Sequence, residues 1–315
     1  MAFEDELEID EARIATGPGG PFETAILANP DGIEVDEARL RQELGRLAGA
    51  EAITSLVVQP SSRVTDVRFL DAFPALETLE LYGLRLRTLD GLDAFVRGRY
   101  LKVDTGRNAG RDLSRLAAAP ITRLWLNWAN AGDLPAVAAS TTLRELTIAN
   151  CPALGFEGWG SVPLESMTLA AGEVGELADT ARVPTLRRLI LDHCGAFTRF
   201  AGDNGGIRWM VIQGCDRLDL ETVSTCANLE FLTVVGIKRP VQLSSFASLA
   251  RVRRLSLLEC NAVVEATELA PGLEELAITG LSGDAAAGLS SANPDVAVSN
   301  GVSSYLNGEQ VASPS

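Results

Sequence analysis

Five cysteines and one histidine are the residues of this 315-residue chain best suited to metal or covalent chemistry. Cys151, Cys194, Cys215, Cys226 and Cys260 supply more thiolates than the four ligands of a structural zinc site. Asp192, His193 and Cys194 are consecutive, which puts an acid, a base and a thiol in one segment, the residue types of a nucleophilic triad. Phosphate chemistry has no such candidate. Neither Lys102 nor Lys238, the two lysines present, follows a glycine as GxxxxGK[ST] requires. Whether the thiols, the imidazole and the carboxylate can converge depends on the elements that carry them.

Those elements repeat. Leu76-Glu-Thr-Leu79-Glu-Leu81, Leu143-Arg-Glu-Leu146-Thr-Ile148-Ala-Asn-Cys151 and Leu186-Arg-Arg-Leu189-Ile-Leu191-Asp-His-Cys194 share one template, LxxLxLxx(C/N). Starting it at residues 53, 76, 98, 121, 143, 164, 186, 207, 229, 252, 273 and 293 gives twelve coils spaced by 20 to 23 residues. The fourth and sixth positions must face a core shared with neighbouring coils. All 24 of these residues are aliphatic or Met, ending with Val296 and Val298 in the last coil. Several coils continue with an apolar residue at every third place, as in Val67, Leu70, Phe73 and Leu76, which predicts short helices at most. Gly155–Gly160 and Gly202–Gly206 have the composition of turns.

This pattern resembles the leucine-rich-repeat superfamily, whose signature is LxxLxLxxN/CxL, over roughly residues 53–301. The resemblance implies an α/β repeat solenoid, a right-handed horseshoe or arc with a parallel sheet on its concave face. Residues 37–50 are expected to form a capping helix, with Asp36 as N-cap and Leu40, Leu44 and Leu47 on one face. Residues 1–36 form an acidic, partly flexible segment in which Ala25–Val35 has the composition of a hairpin. Residues 302–315 are a polar C-terminal tail, expected to fray.

Placed on this frame, the chemistry disperses. Cys151, Cys194, Cys215 and Cys260 all take the ninth position, where the family's Cys or Asn points inward, and Cys226 lies on the three-residue rhythm. Coils stack about 5 Å apart, so ligands spread over six coils cannot share one metal. Only Cys194 and Cys215 can meet. His193 takes the eighth position, where the adjacent coils carry Ala171 and Gly214, so no nucleophile faces it. The reading is no catalytic residue, no metal and no cofactor. Position two alternates in sign, as in Glu77 and Arg99 or Arg208, Glu230, Arg253 and Glu274, which predicts cross-strand pairs rather than a nucleic-acid track.

Aromatic residues are what the repeat leaves unexplained. Tyr82, Tyr100, Trp125, Trp209 and Phe231 take outward strand positions, and Trp128 follows its strand directly. Lys102, Asp104, Asn127, Asp192, His193 and Gln213 surround them with polar groups, as the rim of an interface would. These twelve residues are the expected partner-binding site on the concave face, since exposed Trp and Tyr mark interaction surfaces.

Composition narrows the partner. Net charge is −15, and residues 1–50 alone hold 12 acidic against 4 basic side chains. An acidic chain favours a basic protein over nucleic acid. The opening Met1-Ala-Phe-Glu-Asp-Glu lacks a signal's basic and apolar regions, and no apolar run is long enough to cross a membrane, so the expected location is the cytoplasm. Arginine over lysine, with abundant Ala and Gly, suits a bacterial protein. The function expected is a non-enzymatic protein-protein interaction module. Alternatives are an immunity or inhibitor protein that neutralises a basic toxin or nuclease, and an assembly scaffold that self-associates. The oligomeric state is left open.

Overall fold

The computed structural model describes residues 24–27, 50–58, 65–82, 86–104, 106, 111–129, 132–263 and 269–311. They divide into two units: Met1–Asn150 with Gly158–Leu164, and Cys151–Glu157 with Glu165–Ser315. The expected capping helix, and the acidic segment apart from Thr24–Leu27, lie outside the described residues.

In the first unit the strands are β1 (Thr24–Leu27), β2 (Ser55–Val58), β3 (Thr78–Tyr82), β4 (Tyr100–Asp104), β5 (Arg123–Asn127) and β6 (Glu145–Ala149). Each pairs in parallel with the next, in a register that puts Leu56, Leu79, Leu101, Leu124 and Leu146 in one row. Alternating side chains are buried and half-buried along β3 and β4, the period of two that the template demands. A short helix α1 (Leu134–Ala138) lies on the far side of this sheet's core, burying Leu134 and Val137.

The second unit repeats the plan with β7 (Ser166–Ala170), β9 (Arg188–Asp192), β11 (Trp209–Gln213), β12 (Phe231–Val235), β14 (Arg254–Leu258), β16 (Glu275–Ile278) and β17 (Ala297–Ser299), all parallel. Away from this sheet, β8 (Glu176–Ala178) pairs with β10 (Arg199–Ala201), and β13 (Val241–Gln242) with β15 (Ala262–Val263). All 24 inward residues of the template are buried, none more than 7% exposed.

The three-residue apolar rhythm has a direct cause. Leu70 donates to the Val67 carbonyl, Phe73 to Leu70 and Leu76 to Phe73, at 2.9–3.1 Å, and Cys226 and Leu229 step from Val223 in the same way. These i to i−3 bonds are 3-10 geometry, which eclipses every third side chain and so turns one apolar row into the core. The glycines at 155–160 lead into such a turn at Trp159–Ser161, whose Trp159 is fully buried.

Two features at the C-terminal end differ from the sequence reading. Leu276 pairs with Val298 rather than with Val296, so the last coil begins two residues later than the template placed it. A shift of two keeps the same residues inward, so apolar alternation cannot distinguish the frames. The preceding coil is lengthened by helix α2 (Gly283–Ala292), capped by the Ser282 hydroxyl, which accepts from the Ala285 amide. Within residues 302–315, β18 (Ser304–Leu306) and β19 (Glu309–Val311) form an antiparallel hairpin on β17. Its turn residues Asn307 and Gly308 both have positive φ, the backbone that an Asn-Gly pair adopts at least cost.

Candidate functional site

One backbone device shapes the open face of the sheet in both units. Position eight, directly after the strand, is left-handed at Trp128, Asn150, Ala171, His193, Gly214, Gly236, Glu259 and Gly280, with φ between 47 and 85°. The kink lets the residue's amide reach the next coil: Trp128 donates to Ala149, His193 to Gln213 and Gly214 to Val235, at 2.7–3.0 Å. It also turns position nine inward. Cys194 and Cys260 donate to carbonyls of the preceding coil, Leu169 and Val234, at 3.3 and 3.4 Å. Cys151, Cys194, Cys215 and Cys226 are buried, and Cys260 is half-buried.

The twelve expected site residues fall in two groups, one in each unit. The first comprises Tyr82, Tyr100, Lys102, Asp104, Trp125, Asn127 and Trp128, all half-buried on β3 to β5 and the turn after β5. Lys102 is its hub. The ammonium stands 4.5 Å from the centres of both the Tyr82 and Trp125 rings and donates to the Tyr82 hydroxyl at 2.6 Å. That hydroxyl donates in turn to Glu80 at 2.5 Å, and the Lys102–Glu80 pair is 3.9 Å apart. Burial works against the charged amine, but the Tyr82 hydroxyl and Glu80 outweigh it and hold Lys102 above its ordinary pKa. Burial, then Glu80, pushes Tyr82 up as well.

Beside this hub runs an amide chain. Asn150 donates to the Asn127 carbonyl oxygen at 2.7 Å, and Asn127 donates to Asp104 at 2.7 Å. On the other rim of the strands, Arg123 pairs with Glu145 at 3.0 Å and stands over the Tyr100 ring at 5.7 Å. There Thr78, Tyr100, Arg123, Trp125, Glu145 and Thr147 surround a concavity of about 310 Å³.

Trp128 is held more firmly than its position suggests. A bulky side chain is an outlier at positive φ, and the left-handed backbone costs about 1–2 kcal/mol. Arg111 and Asp133 fix it there. Their side chains are fully buried and bonded to each other at 2.9–3.2 Å, and Arg111 also donates to the Asn127 and Trp128 carbonyls at 3.3 Å. Sequence reasoning missed this pair, together with Glu80 and Asn150. Glu80 and Lys102 are neighbours at position five, a signal available once that column is aligned. Arg111 and Asp133 lie between strands, where the template says nothing.

The second group comprises Asp192, His193, Trp209, Gln213 and Phe231. Arg188 covers the Trp209 ring at 3.9 Å, and Arg254, itself paired with Glu275 at 2.6 Å, stands over Phe231 at 5.8 Å. His193 Nδ1 is 2.6 Å from Asp192 and both are well exposed, the imidazole resting against Gly214. Cys194, next in sequence, is completely buried. A hydrogen bond with Cys215 lowers the Cys194 thiol to about 7 and pushes that of Cys215 up. The two thiols therefore meet as the stacking requires, but inside the core and turned away from His193.

At position two, Glu77–Arg99, Arg208–Glu230 and Arg253–Glu274 form the alternating pairs expected, at 3.3–3.7 Å. Among the described residues no group of three or more His, Cys, Asp or Glu is placed to hold a metal, and no helix is long and apolar enough to cross a membrane.

No protein-family model matches the sequence, and no curated protein matches it. Among solved structures the chain is similar to an internalin (inlF) from Listeria monocytogenes, at 14% identity and a TM-score of 0.42, over 88% of this chain and 79% of that one. It is similar to TLR13, solved with ssRNA13, at 16% identity and a TM-score of 0.46, over 76% of this chain and 41% of TLR13. The plant peptide hormone receptor RGFR1, solved with RGF2, aligns at 10% identity and a TM-score of 0.36, over 81% of this chain and 44% of the receptor. With one parallel strand per coil, a shared row of inward leucines and position-nine thiols turned into the core, the chain has the leucine-rich-repeat fold.

Proposed function

We propose that the chain is a non-enzymatic protein-binding module whose partner docks on the open sheet face of β3 to β5. The observation that carries this reading is Trp128, a half-buried indole kept in a left-handed turn by a buried ion pair. At the equivalent place Asn150, Gly214, Gly236 and Gly280 adopt that backbone at little cost, and of the residues that do not, Trp128, Ala171, His193 and Glu259, Trp128 is the bulkiest. Strain that the surroundings over-determine is a feature of binding and catalytic sites. Among the described residues no group of three or more His, Cys, Asp or Glu is placed to hold a metal, whereas Tyr82, Tyr100 and Trp125 supply rigid aromatic area of the kind that dominates interface energetics.

The expected partner-binding residues of this unit are thus Tyr82, Tyr100, Lys102, Asp104, Trp125, Asn127 and Trp128. Joint replacement of Trp125 and Trp128 by Ala is expected to abolish capture of the native partner, measured by pull-down from the native cell and mass spectrometry. Unfolding by denaturant must show that the variant is still folded. Capture that equals wild type would refute the reading.

A further inference from the structure

Resting on that reading, we propose that Asp104 is a subsite for a cationic side chain, arginine or lysine, presented by the partner. The charged groups on the open face of β3 to β6 are Glu80, Lys102, Asp104, Arg123 and Glu145. Four of them are neutralised in pairs, Glu80 with Lys102 at 3.9 Å and Arg123 with Glu145 at 3.0 Å. Asp104 is the exception: its hydrogen bond from Asn127, at 2.7 Å, comes from a neutral amide, and no cation of the described residues pairs with it. A carboxylate has about four acceptor sites, so one amide leaves most of its capacity open.

Among the described residues, the two cations on this face of the strands are held elsewhere. Lys102, two residues earlier on the same face of β4, is fixed between the Tyr82 and Trp125 rings and bonded to the Tyr82 hydroxyl. Arg123 is engaged with Glu145 and Tyr100. Asn150 donates to Asn127, and Asn127 in turn directs its N–H toward Asp104 and fixes the carboxylate's orientation. Tyr82 is its register partner on β3, and Asn127, which bonds it from β5, is followed by Trp128, so an aromatic residue is close in position on each side. A fixed anion near aromatic residues suits a guanidinium or ammonium group, which can stack and pair at once.

The probes are acetyl-Gly-Arg-Gly-amide, its lysine analogue and its citrulline analogue, which keeps the shape of arginine but not the charge. Each is titrated into the full chain while the indole N–H resonances of the four tryptophans are followed by NMR. The arginine or lysine peptide is expected to move the Trp125 and Trp128 signals, with the stronger of the two identifying the preferred cation. Asp104→Asn, which retains an acceptor for Asn127, and the citrulline peptide should each weaken binding about fivefold, the scale of a part-exposed ion pair. Equal binding by Asp104→Asn, shifts confined to Trp209, or no response to either cationic peptide would overturn the proposal. Loss of native-partner capture in the Trp125 and Trp128 double variant, with full capture by Asp104→Asn, would remove the cation subsite and leave the docking face standing. Full capture by both variants would remove both.

Discussion

The open sheet faces of the two units share one strand template and use their aromatic residues differently. On β3 to β5, Tyr82 and Trp125 enclose a lysine, and Trp128 is anchored from beneath by Arg111 and Asp133. On β9 to β16 the central row reads Ile190, Val211, Thr233, Ser256 and Ala277, without a charge. There Trp209 and Phe231 sit at the strand entrance, each covered by an arginine of an adjacent strand. An aromatic ring capped by its own arginine is a ladder contact that stabilises a sheet edge and spends its face internally, as Tyr100 under Arg123 also does in the first unit. Trp128 differs in its backbone, which is left-handed and bonded to the buried Arg111. On the proposed reading, recognition belongs to Trp128 and its neighbours in the first unit, and the aromatic residues of the second hold the sheet together.

The largest expected contrast is between two arginines. Arg111→Met leaves Asp133 buried without its partner and should cost about 3–5 kcal/mol in denaturant unfolding. Arg188→Met removes an exposed ring contact and should cost no more than about 1 kcal/mol. Similar costs for the two would erase the distinction between anchored and covered aromatics.

Next in size is the backbone effect at position eight. Gly236 has φ of 65° and open space where a Cβ would go, so Gly236→Ala should destabilise by about 1 kcal/mol through conformation alone. Ala171→Gly, at φ of 47°, should stabilise by a few tenths of a kcal/mol, the relieved strain being offset by a freer unfolded chain. A loss of stability in Ala171→Gly would mean that the left-handed column stores no strain, and the inference from Trp128 would lose its basis.

A smaller effect is expected from pH. Lys102 and Tyr82 both hold their protons more tightly when folded than at their ordinary values of 10.5 and 10.0. The stability they contribute is complete below those values and is lost as pH rises through the folded ones. Base-induced unfolding should therefore steepen above about pH 10, and Tyr82→Phe should reduce that slope. An unchanged slope would show that the hydroxyl does not couple the lysine to Glu80.

Most of the coil frame was legible because every coil repeats two inward aliphatic positions, and burial of Leu79, Leu81 and their equivalents follows from that alone. The frame slipped at Val296 and Val298 because a period of two is blind to a shift of two. The left-handed column was written in Asn150, Gly214, Gly236 and Gly280, and the hairpin turn in Asn307-Gly308, but both are conformational signals that an apolar template does not register. The aromatic residues were identifiable from their positions. Their environment was not: Glu80 and Asn150 reach them across strands, and Arg111 reaches Trp128 from a segment between strands, contacts that exist only once the coils stack.

The central claim is tested most directly by measuring native-partner capture with two double variants side by side, Trp125→Ala with Trp128→Ala and Trp209→Ala with Phe231→Ala. The account predicts that the first loses the partner and the second keeps it. Retention by the first with loss by the second would contradict it.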